Sequence, residues 1–282
     1  CDQVCAYCIV PKVRGRERSI PPETIVQQIN YQISRGHKEV VLTGTQLGSY
    51  GFDLRNIHLP GLLSLILSET DITRLRVSSI QPQEIDNSLL NLWSNPRLCP
   101  HFHLALQSGS DRILKNMRRR YTKQQYLNVV KTIRETLPEA SITTDIIVGF
   151  PGETETDFSE TYSICEDIGF ANIHIFPYSN RPGTSASHFD GGVNPSTKSN
   201  RTKRMLDLAE RESEKFRNQF LGTVRPVLWE AQTKSEDANG WIGLTDNYIR
   251  VITYSNRALI NKITPTLLLK KQKNSIVGQI TN

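Results

Sequence analysis

No apolar run in the sequence approaches the ~20 residues that a membrane-spanning helix needs, and no basic-then-apolar leader opens it. A membrane protein is excluded on that count. Cysteine is sparse and odd in number, five in 282 residues, which excludes the dense disulfide framework of small secreted domains and fits a reducing, cytoplasmic compartment. Charged residues make up 22% and hydrophobic residues 37%, so the chain is neither disordered nor fibrous. At ~150 residues per domain the length allows about two domains.

The formal charge is +6, and its placement says more than its size. From Phe216 onward there are 9 basic and 4 acidic residues, against 25 and 24 before it. The positive excess sits in the last quarter of the chain, where it could attract a polyanion or simply form a solvated face.

From 21 to 179, short β-branched runs alternate with longer amphipathic stretches. The strands are expected at 39–43, 74–80, 101–107, 141–148 and 172–178, with helices between them, hence a largely parallel sheet or barrel. In such folds the chemistry sits at the carboxyl ends of the strands. Those ends carry Thr43-Gly44, Ser78-Ser79, Gln107-Ser108-Gly109, Gly149 and Ser179. Residues 180–199, rich in Gly, Pro, Ser and Asn, read as a loop or linker before a charged helix at 200–217. Six short strands are expected beyond it, at 224–231, 241–244, 248–254, 258–263, 266–270 and 275–280. They suggest a small antiparallel barrel of the oligonucleotide-binding kind. The domain reading is 1–198 for the α/β core, 199–220 for a connecting helix and 221–282 for the barrel.

Three of the five cysteines lie within eight residues, as Cys1-x-x-x-Cys5-x-x-Cys8. One short loop can bring three thiolates to one inorganic centre, and a four-iron cluster held by only three leaves one iron with a free position. Structural zinc would want a fourth ligand, for which only His37 is in reach by sequence. The spacing favours the cluster over zinc and over coincidence. Cys99 and Cys165 stand alone and read as buried, inert thiols.

The opening Cys1-Asp-Gln-Val-Cys5-Ala-Tyr-Cys8-Ile-Val-Pro-Lys-Val-Arg-Gly-Arg-Glu-Arg-Ser19 resembles the radical S-adenosylmethionine (radical SAM) signature of the methylthiotransferases. Further matches follow in order: Leu42-Thr-Gly-Thr-Gln-Leu-Gly-Ser-Tyr-Gly51, Ser78-Ser-Ile-Gln-Pro82, His101-Phe-His-Leu-Ala-Leu-Gln-Ser-Gly-Ser110, Asp145-Ile-Ile-Val-Gly-Phe-Pro-Gly-Glu153, Phe176-Pro-Tyr-Ser179 and Arg181-Pro-Gly-Thr184. The tail is similar to the TRAM domain, a small RNA-binding barrel. The resemblance implies an α/β fold, a partial radical-SAM (β/α)6-type barrel missing its first strand, followed by that TRAM-like antiparallel β-barrel. The wording at Thr43-Gly44 and at Asn95-Pro-Arg-Leu-Cys-Pro100 is most similar to the branch that modifies N6-threonylcarbamoyladenosine beside the tRNA anticodon. The branches acting on isopentenyladenosine or on a ribosomal protein are the alternatives, and a non-catalytic RNA-binding protein with a structural metal site is a third.

The resemblance further implies a 4Fe-4S cluster on Cys1, Cys5 and Cys8, with S-adenosylmethionine at its open iron. It carries cofactor contacts over to Tyr7, Thr43, Gly44, Ser79, Gln107, Ser108 and Asp145, the last four expected around one pocket. The catalytic residues beyond these are not identified. Arg14, Arg16 and Arg18 could meet phosphate or a substrate carboxylate, or form a solvated face. In the tail, Arg225, Arg250, Lys262, Lys270, Lys271 and Lys273 are phosphate-contact candidates, while Trp229, Trp241 and Tyr248 read more readily as core than as stacking platforms. The implied partners are the tRNA anticodon stem-loop and a reductant such as flavodoxin or ferredoxin; the chain is expected to be a monomer. Family members usually begin with a domain holding a second 4Fe-4S cluster, and the first barrel strand normally precedes the cysteine loop. Their absence is expected to mark a fragment with an unpaired sheet edge.

Overall fold

The computed structural model describes residues 1–233 and 240–281. A short helix α1 (Val10–Arg14) follows the cysteine loop. Helix α2 (Pro22–Ser34) starts on a proline, whose missing amide costs nothing in a first turn, and the chain leaves it through Gly36 at φ +88°. Then come β1 (Glu39–Leu42), α3 (Leu59–Glu69), β2 (Arg74–Val77), β3 (Ser79–Ile80), α4 (Asn87–Leu90) and β4 (His101–Leu104). They are followed by α5 (Asp111–Asn116), α6 (Lys123–Thr136), β5 (Ser141–Val148), α7 (Glu155–Ile168), β6 (Asn172–Pro177) and α8 (Pro195–Asn218). Capping boxes open α6 at Thr122 with Gln125 and α7 at Thr154 with Asp157, and Gly169 in the left-handed conformation closes α7.

All strand pairs in this unit are parallel, in the order β1-β2 and β3-β4-β5-β6. The stretch 74–80, expected as one strand, splits at Ser78, whose amide donates to Leu42 O at 3.0 Å. Before the break it pairs with β1, and after it with β4, which bends the sheet toward a barrel. β1 pairs with β2 alone among the described residues, leaving its other edge without a strand. The sheet's outer face and its helices share one apolar core in which Leu63, Ile66, Leu75, Leu104 and Ile146 are fully buried.

Helix α8 is longer than expected and is no free connector. Met205, Leu208 and Ala209 bury one stripe of it in that core, and Arg201 pairs with buried Glu153 at 2.8 Å. The tail forms a closed five-stranded barrel from β7 (Val224–Thr233), β8 (Gly240–Thr245), β9 (Arg250–Tyr254), β10 (Ile263–Gln272) and β11 (Ser275–Ile280). Its pairs are antiparallel except β9 with β11, which is parallel. The sixth strand expected at 258–263 is a turn. Asn261 takes φ +56° there, and its Nδ2 donates to Gly36 O at 2.6 Å in the α/β unit.

Arginines tie the two units together. Arg74 and Arg76 are buried beside Glu39 and donate to the Leu244 and Asp246 carbonyls at 3.1 and 3.0 Å. Arg225 pairs with Asp246 at 2.8 Å and with Glu139.

Candidate cofactor site at the cysteine loop

The three cysteines are half-buried and unpaired, on a loop pinned at its middle. Ala6 N donates to Met117 O at 3.0 Å, and Ala6 O accepts from Ala186 N at 2.8 Å. Around this anchor Ala6, Ile113, Met117, Ile147, Phe150 and Ala186 form a separate apolar cluster against which Tyr7 and Tyr178 pack. The loop therefore sits over the carboxyl ends of β5 and β6. Cys1 Sγ donates to Gln46 Oε1 at 3.3 Å, and Arg119 Nη1 donates to Cys5 Sγ at 3.5 Å.

Arg119 is a functional candidate that sequence reasoning missed. Its guanidinium donates to Ala105 O and Tyr121 Oη as well as to Cys5 Sγ, which puts a fixed positive charge beside the loop. The only sequence signal was the run Arg118-Arg-Arg-Tyr121, which is indistinguishable from a solvated basic patch.

Below the loop a cavity of about 280 Å³ is lined by Tyr7, Cys8, Gln107, Asp145, Ile147 and Tyr178, among others. Gln107 stands at φ +68°, a conformation that favours glycine, and is held there by Gln107 N to Asp145 O at 2.8 Å and Ile147 N to Gln107 O at 3.0 Å. The Tyr178 hydroxyl is buried without a partner among the described residues. Burial raises the pKa of the Tyr7 phenol, keeping it neutral. Burial opposes the charge on Asp145, but hydrogen bonds from His103 (3.2 Å) and His174 (3.1 Å) outweigh it and hold the carboxyl well below its usual range.

Tyr7, Gln107 and Asp145 are thus brought together. Ser108 is turned away: it is buried, with Oγ 3.3 Å from Thr161 Oγ1 on α7. Ser79 is exposed on β3 and does not line this cavity. Thr43 and Gly44 line a second cavity of about 170 Å³ with Ser19, Gln46 and Tyr50. A Cβ built on Gly44 meets nothing closer than 4.0 Å, so packing does not demand glycine there. The cavity below the loop thus takes Gln107 and Asp145 but neither Ser108, held back by the docking of 108–110 on α7, nor Ser79, which is the register partner of His103 on β4. Arg14, Arg16 and Arg18 are exposed.

Cys1, Cys5 and Cys8 offer three thiols on one short loop, the number that leaves one iron of a four-iron cluster free and one short of the four ligands a structural zinc takes. Cys99 and Cys165 are buried, and burial pushes the Cys99 thiol up to about 12.

In the barrel, Trp229 and Trp241 are core residues, their Nε1 atoms bonded to Thr264 Oγ1 and Ser255 O at 2.8 and 3.1 Å. Tyr248 stacks on His101 with ring centroids 4.5 Å apart. Arg225, expected to meet phosphate, is buried and ion-paired, so the basic surface is left to Arg250, Lys262, Lys270, Lys273 and to Lys271, which pairs with Glu214. Another cavity, of about 730 Å³, lies between α8, the starts of β5 and β6, and the barrel, away from the cysteine loop.

Residues 1–165 match the Radical SAM superfamily. The threonylcarbamoyladenosine tRNA methylthiotransferase of Bacillus subtilis is 34% identical over 96% of this chain and 60% of its own length. That of Thermotoga maritima is 42% identical over 82% of this chain and 53% of its own. The tRNA-2-methylthio-N(6)-dimethylallyladenosine synthase of Syntrophobacter fumaroxidans is 38% identical over 99% and 62%. The chain thus spans 53% to 62% of these relatives' lengths. Among solved structures, the radical SAM methyltransferase TsrM from Kitasatospora setae matches with TM-score 0.56, 17% identity, and coverage of 66% of this chain and 36% of that one. Coproporphyrinogen III oxidase from Escherichia coli matches with TM-score 0.54, 12% identity, and coverage of 87% and 64%.

Proposed function

Because this chain belongs to the radical SAM superfamily, we propose that it is the core of a tRNA methylthiotransferase, inserting a methylthio group at C2 of N6-threonylcarbamoyladenosine beside the anticodon. The observation that carries this reading is the half-buried loop of Cys1, Cys5 and Cys8 opening onto the cavity lined by Tyr7, Gln107 and Asp145. The target carbon has no acidic proton and no leaving group, so acid-base chemistry has nothing to start from. A 4Fe-4S cluster with one iron free of protein ligand supplies, with S-adenosylmethionine, the one-electron chemistry that attacks such a C–H bond.

The chain's own residues hold, orient and shield. Cys1, Cys5 and Cys8 are the cluster ligands, and Arg119 offsets their negative charge from one side. Tyr7, Gln107 and Tyr178 shape the cofactor cavity. Thr43 and Gly44 line the neighbouring cavity, where the lack of a side chain at Gly44 leaves room for a ligand. The apolar cluster under the loop excludes water from the reacting atoms. The exposed lysines of the barrel hold tRNA by its phosphates. A second cluster that delivers sulfur, in a domain outside this chain, and a flavodoxin- or ferredoxin-type reductant complete the scheme.

A second reading keeps the chemistry and places it on isopentenyladenosine. It is favoured by the 38% identity to the dimethylallyladenosine enzyme over nearly the whole chain.

Anaerobic reconstitution with iron and sulfide should give about four irons per chain at this loop. A reductant should then release 5′-deoxyadenosine from S-adenosylmethionine, and Cys5→Ala should abolish both. A colourless, zinc-loaded protein defeats the proposal. Mass spectrometry of tRNA from cells complemented with the full-length gene separates the two substrates.

A further inference from the structure

We propose that His103, Asp145 and His174 form a binding site for a divalent transition-metal ion, separate from the cysteine loop. The strand register makes the site. Asp145 on β5 is the direct partner of His174 on β6, and His103 on β4 is the partner of Thr143, two residues down β5 from Asp145. Residues two apart on a strand share a face, so all three side chains project from the same side of the sheet at nearly one height.

The resulting distances suit an ion. His103 Nε2 lies 3.2 Å from Asp145 Oδ2, His174 Nδ1 lies 3.1 Å from Asp145 Oδ1, and the three ligand atoms all lie within 4.8 Å of one another. Metal–nitrogen and metal–oxygen bonds of about 2.0–2.2 Å place neighbouring ligand atoms roughly 2.9–3.5 Å apart, the spacing each histidine has with the carboxylate oxygen it faces, so the carboxylate would use both oxygens. The two imidazole nitrogens lie within 4.8 Å of each other, and His174, whose side chain is half-exposed, has room to turn.

His103 is also oriented as metal-binding histidines are. Its Nδ1 lies 2.9 Å from Thr143 Oγ1, which fixes the ring and presents Nε2 to the site. Two imidazole nitrogens and one carboxylate select zinc, iron(II) or cobalt(II) over magnesium or calcium. Asp145 lines the cavity below the cysteine loop, so an ion here would keep at least one coordination position open to it.

The test uses the full chain with Cys1, Cys5 and Cys8 replaced by serine, so that no thiolate of the loop competes, and cobalt(II) alone as probe. The expected result is one equivalent bound, with visible d–d absorption lacking thiolate charge-transfer bands. His174→Gln, at a half-exposed position, should weaken binding at least about tenfold and leave the metal-free melting temperature unchanged. Asp145→Asn should abolish binding. A hydrogen-bonded triad with no metal affinity would give no saturable stoichiometric binding, and that result overturns the proposal, as does binding indifferent to both His174→Gln and His103→Gln. Neither outcome depends on cofactor cleavage, so this proposal and the radical reading fail separately.

Discussion

Gly109→Ala probes the hook that carries Gln107 into the cofactor cavity. Residues 108–110 are bolted to α7: Gly109 N donates to Thr161 Oγ1 at 2.9 Å, and Ser110 Oγ donates to Asp157 Oδ1 at 2.6 Å. A Cβ on Gly109 would lie 2.4 Å from Ile164 Cγ2, 2.7 Å from Thr161 Cα and 2.9 Å from Glu160 O. Two of these three atoms are backbone, so relief requires moving the helix rather than a rotamer. Overpacking of this kind costs about 1–3 kcal/mol, and immovable backbone puts the site near the upper end. Lower chain entropy in the unfolded state returns roughly 0.4–1 kcal/mol. The net loss is about 2 kcal/mol, a fall in melting temperature of roughly 4–8 °C for a unit of this size. Calorimetry on the wild-type chain, Gly109→Ala and the control Gly44→Ala reads it directly. The control should stay within about 0.5 kcal/mol, because its added Cβ meets nothing closer than 4.0 Å, an ordinary contact with no overlap. Equal stability of Gly109→Ala and the wild type would refute the packing argument. A matching loss in Gly44→Ala would refute the claim that its cavity is open.

Further outcomes are expected. Burial opposes the charge on Asp157, yet hydrogen bonds from Arg112, Ser110 and Thr154 prevail and hold its pKa low. Its stabilisation is therefore complete above the unfolded value near 3.9 and drains as pH falls through the folded value. Asp157→Asn should flatten that acid limb in urea titrations between pH 2 and 6, and an unchanged limb would contradict it. Arg76→Ala removes the closer of Glu39's two arginine partners, Arg74 staying at 3.6 Å, and leaves two barrel carbonyls without their donor, so it should cost about 1–3 kcal/mol and loosen the barrel from the α/β unit, seen as two unfolding transitions in place of one. Alanine at Lys262, Lys270 or Lys273 should weaken tRNA binding and lower its log–log salt slope by about 0.9 for each lysine that meets a phosphate. Arg225→Ala, by contrast, should show up as lost stability, since its partners are Glu139 and Asp246.

Much of this molecule could be read before any coordinates. Local sequence determined the alternation of β-branched runs and amphipathic helices, because side-chain period and caps such as Thr122–Gln125 and Thr154–Asp157 act over three or four residues. It also determined the thiol loop, since Cys1, Cys5 and Cys8 are close along the chain. Tertiary structure decided what depends on partners far away in sequence. The strand breaks at Ser78 because the residues before it pair with β1, Ser78 N itself donating to Leu42 O, while Ser79 and Ile80 pair with β4. Arg225 is withdrawn from the barrel's basic surface by Glu139, from the other unit, and Asn261 sits in a turn where it donates to Gly36 O. Arg119 reaches Cys5 across more than a hundred residues, and His103, Asp145 and His174 converge only through the register of three strands. Period and spacing are local quantities. Which strand ends share a cavity is settled by sheet curvature and docking, which no short window of sequence contains.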